Sequence, residues 1–257
     1  MAYISCAQFM SFPLIENTEH LPLASWYPFD HTKSPLYEVL YIWQWFMNQV
    51  VITTLSGFDV FFNAIVMVCS TQFQVLQDVL ENLCLGKGRK QWDYMEIKSE
   101  SRIVHENEAI VVCVKQHLKM ISVCEMVEST FAHIVFIQFI VSTLAICVSC
   151  VSLIADPTQF QHMLSYCVAH LLQFFIYCSV GNELTFQSGL VAESAYNCDW
   201  ERNTNNLFLM RSLAMIIQRA QRPETLTVGG LMQLSFANFM GSIQLSFSFY
   251  TLLNSYV

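Results

Sequence analysis

Within the apolar runs of this chain, the side chains best equipped for chemistry are cysteines and histidines. Cys147 and Cys150 form a C-x-x-C, a spacing that suits a metal or a redox couple when a second ligand pair accompanies it. None does, and both thiols fall inside an apolar run, where cysteine behaves as a small hydrophobe. His133, His162 and His170 lie in or near further apolar runs. Lone histidines in such helices are usually hydrogen-bonded structural residues. His170, in a mostly aromatic stretch, can also line a cavity. The sequence holds no nucleophile–base pair facing a membrane, no metal-ligand cluster and no phosphate loop. Neither an enzyme nor a cofactor is expected.

What remains is hydrogen bonding and contact with ions. From Thr225 to Val257 no residue is charged. On a helix of about 3.6 residues per turn, Ala237, Asn238, Gly241, Gln244, Leu245, Ser248, Leu252 and Ser255 share one face. Phe236, Phe239, Ile243, Phe247 and Tyr250 share the opposite one. A small, hydroxyl- and amide-bearing stripe opposite an aromatic one suits a helix that lines a pore. It equally suits helix packing, where small residues let backbones approach and Ser or Gln bridge helices. The residues alone leave both readings open.

The elements that must carry these side chains are membrane helices. Of the 257 residues, 54% are hydrophobic and 12% charged, against about 25% charged in soluble domains. Mean hydropathy is +0.42. The net charge of -8 argues against nucleic acid, which favours basic patches. A span needs about 20 apolar residues as a helix. Val39–Phe58, Ser129–Ala155 and Pro157–Asn182 each supply a charge-free run long enough, and the last stretch supplies a fourth. Asp59 follows a span already complete and is expected at the interface.

The chain therefore divides, on expectation, into an outer loop at 1–38 (with a possible span remnant at 1–15), a first span with a cytoplasmic extension at 39–77, and a charged connector at 78–128. A second span follows at 129–155, a short outer turn and third span at 156–182, a second charged connector at 183–224, and the last span at 225–257. Ile110, Val114, Leu118 and Ile121 recur at helical spacing in the first connector. In the second, Leu207, Met210, Leu213, Ile217 and Ala220 do the same, with Asn203 or Thr204 as the expected N-cap and Pro223 as the stop. Of the twelve Lys and Arg, seven lie in 78–128 and four in 183–224. The positive-inside rule puts both connectors in the cytoplasm and the C-terminus outside, opposite to a G-protein-coupled receptor.

Five motifs in order resemble the insect odorant receptors. LPLASWYPFD followed by SPLYEVLYIWQ is similar to the loop before that family's fourth span. QFFIYCSVGNEL (173–184) resembles its Tyr-Cys-x-x-Gly-Asn run, SAYNCDW (194–200) its Ala-Tyr…Trp signature, and RAQRPETLTVGG (219–230) its Gln-x-Pro segment. SFSFYTLL (246–253) is similar to the family ending Ser-Tyr-Ser-Tyr-Phe-Thr-Leu-Leu, with Phe247 and Phe249 in place of tyrosines. The resemblance covers nearly the whole chain. It implies an all-α polytopic bundle holding the last four of seven spans, an N-terminally truncated or partial receptor. It also implies an odorant-gated, non-selective cation channel that forms a heterotetramer with an odorant co-receptor. Its expected setting is the plasma membrane of an olfactory sensory neuron dendrite.

By the same resemblance, the last helix lines the pore, with Leu252 at the narrowing and Gln244, Ser248 and Ser255 lining it. A ring containing leucine blocks hydrated ions by dewetting. The small volatile ligand is expected in the outer bundle, against Tyr41, Gln44, Trp45, Asn48, His170 and Phe174. The connectors are expected to build a subunit anchor through Leu207, Leu213 and Ile217. A gustatory-type channel is the alternative within the superfamily. A membrane transporter is the alternative outside it, disfavoured because the spans carry no interior acid or base except histidine.

Overall fold

The structure, a computed structural model, describes residues 34–83, 99–155, 160–203 and 205–254. Of the first 33 residues it describes Tyr3, Ala7, Met10, Ser11, Leu21, Pro22 and 25–28. Among the described residues the fold is all-α apart from one small hairpin. Helix α1 runs Leu36–Leu83, α2 Ser99–Ala155 and α3 Phe160–Tyr196. A 3-10 turn at Trp200–Asn203 leads to α4, Leu207–Ala220. Strands β1 (Thr227–Val228) and β2 (Met232–Gln233) precede α5, Phe236–Asn254.

The long helices outrun the membrane. At 48 and 57 residues, α1 and α2 extend about 72 and 86 Å at 1.5 Å per residue, against a hydrocarbon core of about 30 Å. Three helices among the described residues are apolar and long enough to cross a bilayer: 36–83, 106–149 and 164–196. The expected fourth, α5, has 19 residues, also enough in length, but it is not among those three, and Asn238, Ser242, Gln244, Ser246 and Ser248 interrupt its apolar run.

The chain divides into two compact units. One comprises Met1–Phe62, Gln138–Ile176 and Met240–Val257, the other Asn63–Ile137 and Tyr177–Phe239. The second unit has a conventional interior. Phe73, Leu80, Ile110, Leu184, Val191 and Leu209 are fully buried there. Polar side chains tie its helices together. Gln77 donates to the carbonyl of Gln187 at 2.8 Å, Ser194 donates to Glu81 at 2.9 Å, and Asn206 donates to Asn107 at 2.9 Å. Buried polar groups need such partners.

Both connectors are more helical, and differently faced, than the sequence pattern suggests. In α2 the buried side is Ile110, Cys113, His117, Met120, Ile121 and Cys124, so Ile110 and Ile121 of the expected stripe are buried, whereas Leu118 is 59% exposed. His117 sits on that face with its ring edge-on to Phe73 at 6.3 Å, and a polarity pattern counts it on the wrong side. In α4 the buried side is Leu209, Ser212, Leu213, Ile216 and Ala220, which keeps Leu213 and Ala220 of the expected stripe and leaves out Leu207, Met210 and Ile217. The segment is apolar over most of its circumference, so periodicity alone permits either rotation. The N-cap is Asn206, whose side chain accepts from the Leu209 amide, not Asn203 or Thr204. The helix ends before Pro223, as expected.

The first residues of the expected last span are not helical. Thr227 pairs with Gln233 and Val228 with Met232, with Gly229 and Gly230 turning at φ 62° and 75°. Positive φ is cheap for glycine and costly for other residues. Leu226, Val228 and Leu234 are buried. Glu128 of α2 accepts from both the amide and the hydroxyl of Thr227. The Gly229 amide donates to the carbonyl of Ala132 at 3.2 Å. α5 thus starts from a fixed point at Phe236 rather than as a continuous helix from Thr225.

Candidate functional site

Within the first unit, α1 positions four of the six expected pocket residues. Tyr41 and Trp45 lie one turn apart and line one cleft of about 400 Å³, together with Ala7, Met10, Ser11 and Ile42. That volume falls in the usual range for small-molecule pockets, about 300–1,000 Å³. The Tyr41 hydroxyl donates to the carbonyl of Met10, which fixes the phenol against the N-terminal segment. Trp45 is 48% exposed. Gln44, on the neighbouring face, is buried and its amide donates to the Tyr27 hydroxyl at 3.2 Å. Asn48 is half-buried.

The other two expected pocket residues stand on α3 and do not line that cleft. Phe174 is buried, its ring edge-on to Phe139 of α2 with centroids 5.1 Å apart. His170, one turn away, is half-buried with Tyr166 edge-on at 4.5 Å. Gln173 between them donates to Asp59 of α1. Asp59 is therefore bonded across two helices within this unit, an environment the sequence reading assigned simply to an interface. The lining residues that sequence reasoning missed are Ile42, beside Tyr41, and Ala7, Met10 and Ser11, which lie about thirty residues before it and carry no motif that announces them.

The expected conduction residues stand on α5. Gln244 and Ser248 are both exposed, and the Ser248 hydroxyl donates to the Gln244 carbonyl at 2.9 Å. Ser242 and Ser246 are buried, and the Ser246 carbonyl accepts from the Cys147 thiol at 3.9 Å. Among the described residues the face bearing Gln244 and Ser248 is thus left open, as is Phe247, while Ser242 and Ser246 are buried. Leu252 belongs to α5, but its side chain lies outside the described residues, as does Ser255. Of the expected anchor residues, Leu207 is 57% exposed, Ile217 half-buried and Leu213 buried inside its own chain. Leu213 therefore presents no surface to a second subunit. The exposed apolar side of α4 is Leu207, Phe208 and Met215.

A protein-family model described as 7tm Odorant receptor matches residues 1–247. The chain belongs to this odorant receptor family. The family is one of receptors, not enzymes. The chain is similar to Odorant receptor 82a of Drosophila melanogaster, 25% identical over 92% of the chain and 58% of that relative. It is also similar to Odorant receptor 10 of Aedes albopictus, 24% identical over 95% of the chain and 63% of the relative. It spans about three fifths of the length of such relatives. The fold matches that of the insect olfactory receptor OR5 from Machilis hrabei, solved with eugenol, at a TM-score of 0.83 and 20% identity. The match covers 100% of this chain and 64% of that one. The all-α membrane bundle expected of an odorant receptor is thereby established.

Proposed function

We propose that this chain is part of an odorant receptor subunit, one that opens a non-selective cation channel when a small volatile ligand binds and that works in a heterotetramer with a co-receptor. The observation that carries the reading is family membership over residues 1–247, joined to a helix, α5, whose Gln244 and Ser248 face away from the chain's own bundle. In a multi-subunit ring that face supplies the polar lining, and Leu252 the apolar constriction that empties of water when closed. The cleft at Tyr41 and Trp45 is the proposed ligand contact. Its aromatic walls fit recognition by shape with few polar anchors. Eugenol, bound by the Machilis relative, is a ligand of that small, volatile kind.

Charge supports the proposed topology. Eleven of the twelve Lys and Arg fall in 63–137 and 177–239, and the remaining one is Lys33. The positive-inside rule then places that unit in the cytoplasm of a plasma-membrane protein and the C-terminus outside. The exposed Leu207, Phe208 and Met215 are the proposed contact with neighbouring subunits. The test is odorant-evoked cation current from the receptor containing this chain, with and without the co-receptor. Trp45→Ala is expected to shift potency at unchanged surface expression. Surface-expressed receptor that never conducts, with the co-receptor and a broad odorant panel, refutes the channel. Unaltered tuning in Trp45→Ala refutes the cleft.

A further inference from the structure

Hydroxyls in the helices of this chain habitually bond the carbonyl one turn back, as Thr53, Ser70, Thr143, Ser149 and Ser248 do. Such local bonds are the default for Ser and Thr in a helix. Ser142 does not follow them. It is 1% exposed, yet its Oγ is buried without a hydrogen-bond partner. His170 Nδ1 is buried and unpartnered in the same way. Groups so placed normally find a partner.

The two residues belong to one layer. α2 and α3 are joined through 156–159, and the Phe139–Phe174 ring contact fixes their register as consecutive antiparallel neighbours. From that contact toward the joint, Ser142 lies three residues along α2 and His170 four residues along α3. These are steps of about 4.5 and 6 Å that keep to the same helix face. Ser142 and His170 therefore both fall about one turn beyond the Phe139–Phe174 pair, with Tyr166 edge-on to the imidazole.

We infer that this layer is a hydroxyl subsite, which takes the OH of a compact alcohol or phenol against an aromatic floor. A neutral imidazole whose proton is on Nε2 accepts at Nδ1, and a serine hydroxyl donates. One guest hydroxyl satisfies both, donating to His170 and accepting from Ser142. A hydrocarbon satisfies neither, and an ether oxygen only one. The inference rests on the ligand-binding reading above and adds to it a ligand class and a new residue, Ser142, and gives the expected pocket residue His170 a role away from the cleft of Tyr41 and Trp45.

The experiment compares matched probes on the receptor containing this chain: 1-hexanol, its methyl ether and heptane, then 4-methylphenol, its methyl ether and p-xylene. Two readouts run in parallel, evoked current with the co-receptor and ligand-induced thermal stabilisation of the purified receptor. At least one hydroxyl probe is expected to act at about tenfold lower concentration than its ether, the usual size of one net hydrogen bond. Ser142→Ala removes the donor that alcohol and ether share and is expected to weaken both relative to the hydrocarbon, whereas His170→Gln is expected to cut the alcohol-to-ether ratio below about threefold and leave the ether and hydrocarbon responses in place. His170→Asn, whose amide oxygen replaces Nδ1, is expected to restore it, since Gln reaches instead toward Nε2. Equal potency of alcohol and ether in both series overturns the subsite. An alcohol-to-ether preference untouched by His170→Gln, or alcohol and ether responses untouched by Ser142→Ala, also overturns it, because Ser142 and His170 then hold at most a buried water. Hydroxyl-selective stabilisation without any current keeps the subsite and sinks the channel reading, and current without hydroxyl preference does the reverse.

Discussion

Gly181 offers a test of the packing between α3 and the hairpin that launches α5. A Cβ placed there would lie 2.5 Å from Leu234 Cβ and 2.8 Å from the Leu234 carbonyl oxygen. Carbon atoms in contact sit at about 3.5–4.0 Å, so Gly181→Ala demands a displacement of about 1 Å. The obstacle is backbone that is held in place. The Leu234 amide donates to the Leu226 carbonyl at 2.8 Å, and the Gly229 amide is tied to Ala132. Overpacking of this kind costs about 1–3 kcal/mol, and fixed backbone points to the upper half.

Gly57 is the internal control. It too lies inside a helix, but a Cβ there meets nothing within 4 Å. Both substitutions gain about 0.5–1 kcal/mol from restricting a flexible residue, so that contribution cancels in the comparison. Gly181→Ala should therefore be less stable than Gly57→Ala by about 1–3 kcal/mol. Thermal unfolding of the purified protein in detergent measures it. With about 2–4 °C per kcal/mol for a chain of this length, the Gly181 variant should melt at least about 2 °C lower. Melting at or above the Gly57 variant refutes the close approach and, with it, the account of why glycine stands in the Tyr-Cys-x-x-Gly-Asn run.

Three further outcomes follow from named contacts. Glu128→Ala strands the amide and hydroxyl of Thr227, so the variant should lose about 1–3 kcal/mol. Amide exchange at Thr227–Gly230 should rise, and unchanged protection there removes the clamp. Leu213→Asp should abolish folded protein, because that side chain is buried. Leu207→Asp should fold normally and lose co-precipitation with the co-receptor, and intact co-precipitation excludes Leu207 from the interface. Leu252→Ser should raise current in the absence of odorant whereas Tyr250→Ser does not. Equal behaviour of the two, or a cysteine at 252 that aqueous thiol reagents fail to reach in the open channel, removes Leu252 from the gate.

The all-α class, the apolar runs and the family were readable from sequence because they depend on local quantities. Hydropathy over some twenty residues sets whether a segment prefers lipid, and five short motifs survive as strings. The direction in which a helix faces was less readable. In α4 an apolar circumference left the rotation to its neighbours, which chose Leu209 and Leu213 over Leu207. In α2 the core accepted His117, which no polarity pattern would put inside. The hairpin carried one local signal, the Gly229–Gly230 pair, but an uncharged stretch also reads as the start of a span. Its true shape depends on Glu128 and Ala132, a hundred residues earlier. The same holds for the sites. Tyr41 and Trp45 become the wall of a cleft only when Met10 and Ser11 fold against them. Ser142 gains meaning only when Phe139 and Phe174 bring His170 to its level. Sequence determines which groups are available and how they repeat along a helix. Which of them meet is set by packing between segments distant in the chain, and no local preference encodes it.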